Sequence, residues 1–122
     1  MPQYVDGFVL PLPKKNLKAY QKMAKTAQKV WLKHGALDYR ECVLEDRKDP
    51  GFCLTFPKGI KVKPTETVVF AFVTYKSRKD RDRINAKVMK DPELCPPDMD
   101  PKKMPFDCAR MLYGGFKTLV GK

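Results

Sequence analysis

The chain reads as an α+β domain in the order β-α-β-β-α-β, a four-stranded antiparallel sheet with two helices on one face. Three observations predict it. Glu66–Tyr75 is the longest apolar run, rich in β-branched and aromatic residues and of strand length. A stretch from Asn16 to about His34 repeats apolar residues at helical spacing. A second, shorter helical stretch follows Ser77, and the remaining apolar segments have strand patterning bounded by proline and glycine.

Taken in order, Tyr4 to Leu12 is a first strand, expected to end at Pro11 and Pro13. Asn16 then caps a long helix whose buried stripe is Leu17, Tyr20, Met23, Ala24, Ala27, Val30 and Trp31, with lysines on the wet side. Gly35 suits a left-handed stop. Ala36 to Glu45 is a second strand, and residues 46–65 form a long connection of the kind that folds over something or serves a site. In the strand 66–75, Val68, Phe70, Phe72 and Thr74 share one face, and Val69, Ala71, Val73 and Tyr75 the other. Both faces are apolar, so both need cover. Ser77, with Asp80 three residues on, opens the second helix, which buries Ile84 and Val88 and ends at Asp91-Pro92. Pro92, Pro96, Pro97, Pro101 and Pro105 predict a surface excursion before a last strand, Arg110 to Lys117. This is the ferredoxin-like β-α-β-β-α-β arrangement.

Length and composition bound the function. The chain has 122 residues and 14.0 kDa, one domain able to bury roughly two thirds of its unfolded surface. No apolar run approaches the ~20 residues of a membrane span, and no charged start precedes an apolar signal core, so the chain is expected to be cytoplasmic with no membrane association. Lys and Arg number 25 against 14 Asp and Glu, a net charge of +11. These charges are dispersed, which fits a solvated surface better than a phosphate grip. Cys42, Cys53, Cys95 and Cys108 form no C-x-x-C pair and there is one histidine, so zinc spacing is absent, the thiols are expected to be reduced, and no metal or cofactor is expected.

A ferredoxin-like sheet leaves one face bare, and an apolar bare face implies a partner. RNA is one candidate, because Phe70-Ala71-Phe72-Val73-Thr74-Tyr75 fits the end of the RNP1 signature. Val68 and Val69 stand where that signature has a basic residue and glycine, so nucleic acid is disfavoured. A second copy of the same sheet is the other candidate, and here a resemblance enters. Tyr4-Val5-Asp6-Gly7-Phe8, His34-Gly35-Ala36-Leu37, Glu41-Cys42, Glu66-Thr67-Val68-Val69-Phe70, Met104-Pro105-Phe106-Asp107 and Arg110-Met111-Leu112-Tyr113-Gly114-Gly115-Phe116 resemble, in order, one small bacterial family. So does Ser77-x-x-x-Arg81-Asp82-x-x-Asn85-Ala86-Lys87-Val88-Met89-x-Asp91-Pro92. The family is that of domain of unknown function 1428, and it resembles the dimeric α+β barrel superfamily in fold. The resemblance implies a homodimer with sheet faces packed together and carries no activity across. The chain departs from the family at Cys108-Ala109, where Gly-Lys is expected, and in added prolines near residue 97.

Six residues are candidates for a ligand site. His34 at a helix C-terminus could serve as a general base or haem ligand, or simply support the cap. Cys42 could present a thiol to a cavity or act as a small buried apolar residue; Glu41, adjacent on a strand, points the other way. Asp6 shares parity with Phe8 and is expected to face the space of Phe70 and Phe72, paired with Arg40 or Arg110. Phe8, Phe70 and Phe72 line either a pocket or a dimer core. The leading reading is a protein that binds a small molecule between sheet and helices, with a cofactor-free enzyme as its extension. The alternatives are an RNA-binding module and a purely structural protein with a filled barrel core.

Overall fold

A computed structural model describes residues 3–95 and 100–121. Its strands are β1 Tyr4–Pro13, β2 Asp38–Val43, β3 Glu66–Tyr75 and β4 Leu112–Lys117, and its helices are α1 Leu17–Lys33, α2 Phe56–Gly59 and α3 Arg78–Met89. The sheet runs β2-β3-β1-β4 with every neighbouring pair antiparallel, which is the ferredoxin-like order. The single-turn α2 lies inside the long connection, and Phe56 from it meets the Phe70 ring edge-on at 6.2 Å. Of the proline-rich excursion, Pro96 and Pro97 lie outside the described residues.

Register decides which side chains share a face. Asp6 is opposite Val73 and Gly7 opposite Phe72, so Asp6, Phe8, Leu10 and Leu12 stand with Val69, Ala71, Val73 and Tyr75 under the helices. One apolar cluster joins Leu10, Leu12 and Val69 to Tyr20 and Ala24 of α1. The other joins Val73, Tyr75 and Tyr39 to Val30 of α1 and to Ile84 and Val88 of α3. The opposite face carries Phe70, Leu112 and Phe116, all exposed in the single chain.

Pro11 does not end β1 as expected but lies inside it, and Pro13 is the strand's last residue. The Lys14 N–H donates to Thr65 O at 2.9 Å, so even-numbered residues of β1 bond to β3 and odd-numbered ones turn toward β4. β4 reaches only as far as Val9, paired with Leu112, so both prolines stand where no strand would take their missing N–H. β2 is shorter than expected, and the last strand starts at Leu112 because residues 108–110 form a 3-10 turn, with the Asp107 carboxylate accepting the Ala109 N–H at 3.0 Å.

The helix ends follow local chemistry. Gly35 has φ +116°, and the N–H groups of Gly35 and Ala36 donate to Leu32 O and Trp31 O, which closes α1 with a Schellman pair. Ser77 Oγ accepts the Asp80 N–H at 3.2 Å. Asn16 precedes α1 but does not cap it through its side chain; its Nδ2 donates to Pro105 O at 2.8 Å and ties down the chain before β4.

Two ion pairs close the ends of the fold. Asp91, buried after α3, lies 2.7 Å from Lys33 Nζ and 2.8 Å from His34 Nε2. The Lys33 ammonium, and then His34, hold its carboxyl far below the usual carboxylate range. Glu66 is likewise lowered, first by Arg110 Nη1 at 2.7 Å. A carboxylate lowered by folding adds stability above its unfolded pKa of about 4, and that stability is lost as pH falls through the folded value. The urea midpoint of D91N is therefore expected to drop less than that of the unsubstituted chain between about pH 6 and about pH 3. Equal drops would mean that Asp91 contributes nothing to the acid limb.

Candidate functional site

Two polar centres lie between the sheet and the helices. The first surrounds Asp6, which is 1% exposed. Its Oδ1 accepts from Arg81 Nη1 and from the Tyr113 hydroxyl, each at 3.0 Å. Its Oδ2 accepts from the Tyr75 hydroxyl at 3.0 Å and from Asn85 Nδ2 at 3.3 Å. Trp31 Nε1 donates onward to the Tyr75 hydroxyl and to Asn85 Oδ1, each at 3.1 Å. Arg81 and Asn85, one turn apart on α3, thus reach the same carboxylate from above. Arg81 also lies over the Tyr4 ring, 4.8 Å from its centroid. Gly115 makes room for this stack, since a Cβ there would stand 2.7 Å from the Tyr4 hydroxyl and 3.1 Å from Arg81 Nη1. Among the described residues no buried side-chain polar atom lacks a partner, so this centre is a closed network without a free valence for a ligand.

The second centre opens onto a cavity of about 470 Å³ between α1, the sheet and the segment before β4. Phe8, Leu10, Ala71 and Val73 supply the sheet side, Tyr20, Met23 and Trp31 the α1 side, and Leu94, Met104 and Phe106 the segment side. Glu41 of β2 reaches into it. Its Oε1 accepts from the Tyr20 hydroxyl and its Oε2 from the Tyr39 hydroxyl, each at 2.6 Å. Burial raises both phenols far above their ordinary value, and the adjoining Glu41 charge adds to the effect. Tyr20 and Tyr39 therefore stay protonated at physiological pH and donate to the two Glu41 oxygens.

Of the six candidates, the structure brings only Phe8 to this cavity. Asp6 does not share a space with Phe70 and Phe72, because the register puts them on opposite faces; its cationic partner is Arg81 rather than Arg40 or Arg110. Arg40 pairs with Asp38 and Arg110 with Glu66. Cys42 is neither buried nor in the cavity; it is exposed on the edge strand, on the side away from Glu41. His34 is held against Asp91 at the far end of α1. The residues not anticipated are Glu41 with its two tyrosines, and Arg81 with Asn85. The signal for the first was parity: Tyr39 and Glu41 share a strand face, and Tyr20 lies on the stripe of α1 that covers it.

Comparison with known proteins gives a consistent frame. Residues 3–108 match the family model described as "Protein of unknown function (DUF1428)". The chain is 38% identical over 118 residues to the uncharacterized protein YbaA of Escherichia coli K12, covering 97% of each, and equally so to that of Shigella flexneri. In fold it is similar to the crystal structure of a dimeric ferredoxin-like protein from an uncultured marine organism, with TM-score 0.58, 11% identity and full coverage of both chains.

The buried network makes a direct prediction. In D6N, Arg81 faces a neutral amide from a nearly buried position, and the unfolding free energy is expected to fall by about 3 kcal/mol in urea titrations. A loss below about 1 kcal/mol would show that Asp6 does not hold α3 to the sheet.

Proposed function

The chain belongs to the DUF1428 family, and on that premise we propose that it binds a small, largely apolar molecule in the cavity over Ala71, with Glu41 as the polar anchor. The observation that carries this reading is the cavity itself. Its volume of about 470 Å³ falls in the range of small-molecule pockets, and its walls are apolar and aromatic. The Glu41 carboxylate, held by two phenols, converges on it. A filled core would have left no such space. Any chemistry beyond binding would run through Glu41 as base, with the Tyr20 and Tyr39 hydroxyls as donors beside it.

The assembly proposed for it is a homodimer through the open sheet face, where Phe70, Leu112 and Phe116 are exposed in the single chain. The ferredoxin-like protein of similar fold is dimeric, which supports a homodimer. Light scattering is expected to give a stable mass of twice 14.0 kDa. A monomer at micromolar concentration would leave the aromatic face bare, overturn the homodimer, and make RNA stacking on Phe70 and Phe72 the next reading to assay.

Trp31 is the sole tryptophan and lines the cavity, so it reports occupancy directly. Titration with the neutral dye N-phenyl-1-naphthylamine should quench Trp31 by energy transfer and saturate at one dye per chain. Ala71→Leu, which places extra methyl groups in the cavity, should weaken the dye by about tenfold or more while the circular dichroism is unchanged. Absence of saturable quenching, or equal affinity in the two proteins, would overturn the site.

A further inference from the structure

We propose that the molecule held in this cavity is an organic cation, a protonated or quaternary amine carried on an apolar body. This inference rests on the ligand-binding reading above and names its chemical class.

Charge is the first argument. In a chain with 25 basic and 14 acidic residues, the cavity wall contains no lysine, arginine or histidine among the described residues, and its two charged members are both carboxylates. Glu93 is already paired, 2.9 Å from Lys29 Nζ and 3.6 Å from Lys33 Nζ. Glu41 has no cationic partner among the described residues, although Asp6, Glu66 and Asp91 each have one. A half-buried carboxylate without a counter-charge is out of pattern in so basic a chain. The two phenols occupy one acceptor site on each Glu41 oxygen, which leaves further lone pairs for an ammonium N–H.

Ring chemistry is the second argument, and it is independent of the first. Phe8, Tyr20, Trp31, Tyr39 and Phe106 all line the same space. Tyr20 and Phe106 meet edge-on at 5.6 Å, and Trp31 and Tyr39 lie tilted at 5.6 Å, so two aromatic pairs flank the carboxylate. Aromatic faces around an anion favour a soft organic cation over a hydrated metal ion, because the ring quadrupole attracts the charge while the walls desolvate the body. An anionic ligand would meet Glu41 head-on, and a neutral donor would gain burial and a hydrogen bond but not the attraction between charges.

The test compares three probes with one body: 4-phenylbutylamine, 4-phenylbutanol and 4-phenylbutyrate, each displacing N-phenyl-1-naphthylamine at neutral pH. The amine is expected to bind about tenfold or more tighter than the alcohol, and the carboxylate weakest. Glu41→Gln should erase the amine preference, each probe being scored against the variant's own dye affinity, while circular dichroism and cooperative urea unfolding match the unsubstituted chain and show that the variant is folded. Dye binding with no amine preference would overturn the cation inference and leave the cavity reading standing. An amine preference that survives in E41Q would overturn the assignment to Glu41. If the dye itself does not bind, the cavity reading fails and this inference fails with it.

Discussion

The structure is organised around one buried carboxylate. Asp6 is on a central strand, out of water, and an ionised group there is tolerated only when donors surround it. Those donors come from every direction: Tyr75 from β3, Tyr113 from β4, and Arg81 and Asn85 from α3. Trp31 of α1 joins through the Tyr75 hydroxyl. One acidic side chain thereby sets the position of both long helices over the sheet, and Gly115 stays small so that Tyr4 and Arg81 can close beside it. This centre is saturated, so its role is architectural.

The cavity follows from what that pin does and does not hold. α1 is fixed to the sheet at its C-terminal end by Trp31 and the Gly35 turn, and near its start by the Tyr20–Glu41 bond and the Asn16 contact with Pro105. Between these anchors the facing residues are small, Ala27 on the helix and Ala71 on the sheet. Small residues opposite one another leave space, and Leu94, Cys95, Met104, Phe106 and Met111 wall it without filling it. Glu41 is the carboxylate facing that space without a cationic partner among the described residues.

Much of this was legible in the residues. The parity of Glu66–Tyr75, the Ser77 cap, the Gly35 stop and the element order all act locally, and the chain obeys them. What the residues did not reveal was the phase between strands. Parity groups Asp6 with Phe8, but only the register says whether that face meets Phe72 or Val73, and a slip of one residue reverses the answer. Arg81 was hidden for a related reason, since a basic residue in an alternating helix looks solvated until a buried acid is found within its reach. Cys42 belongs to an edge strand, where one sequence face can remain wet.

The central claim, that the space over Ala71 is a ligand site, is tested most directly by methyl NMR on methionine-labelled protein. Met23, Met104 and Met111 line the cavity, whereas Met89 is exposed on α3 and 61% accessible. On titration with N-phenyl-1-naphthylamine, the methyl resonances of the first three should shift and saturate together while Met89 stays in place. Shifts confined to Met89, or none that saturate, would contradict the account.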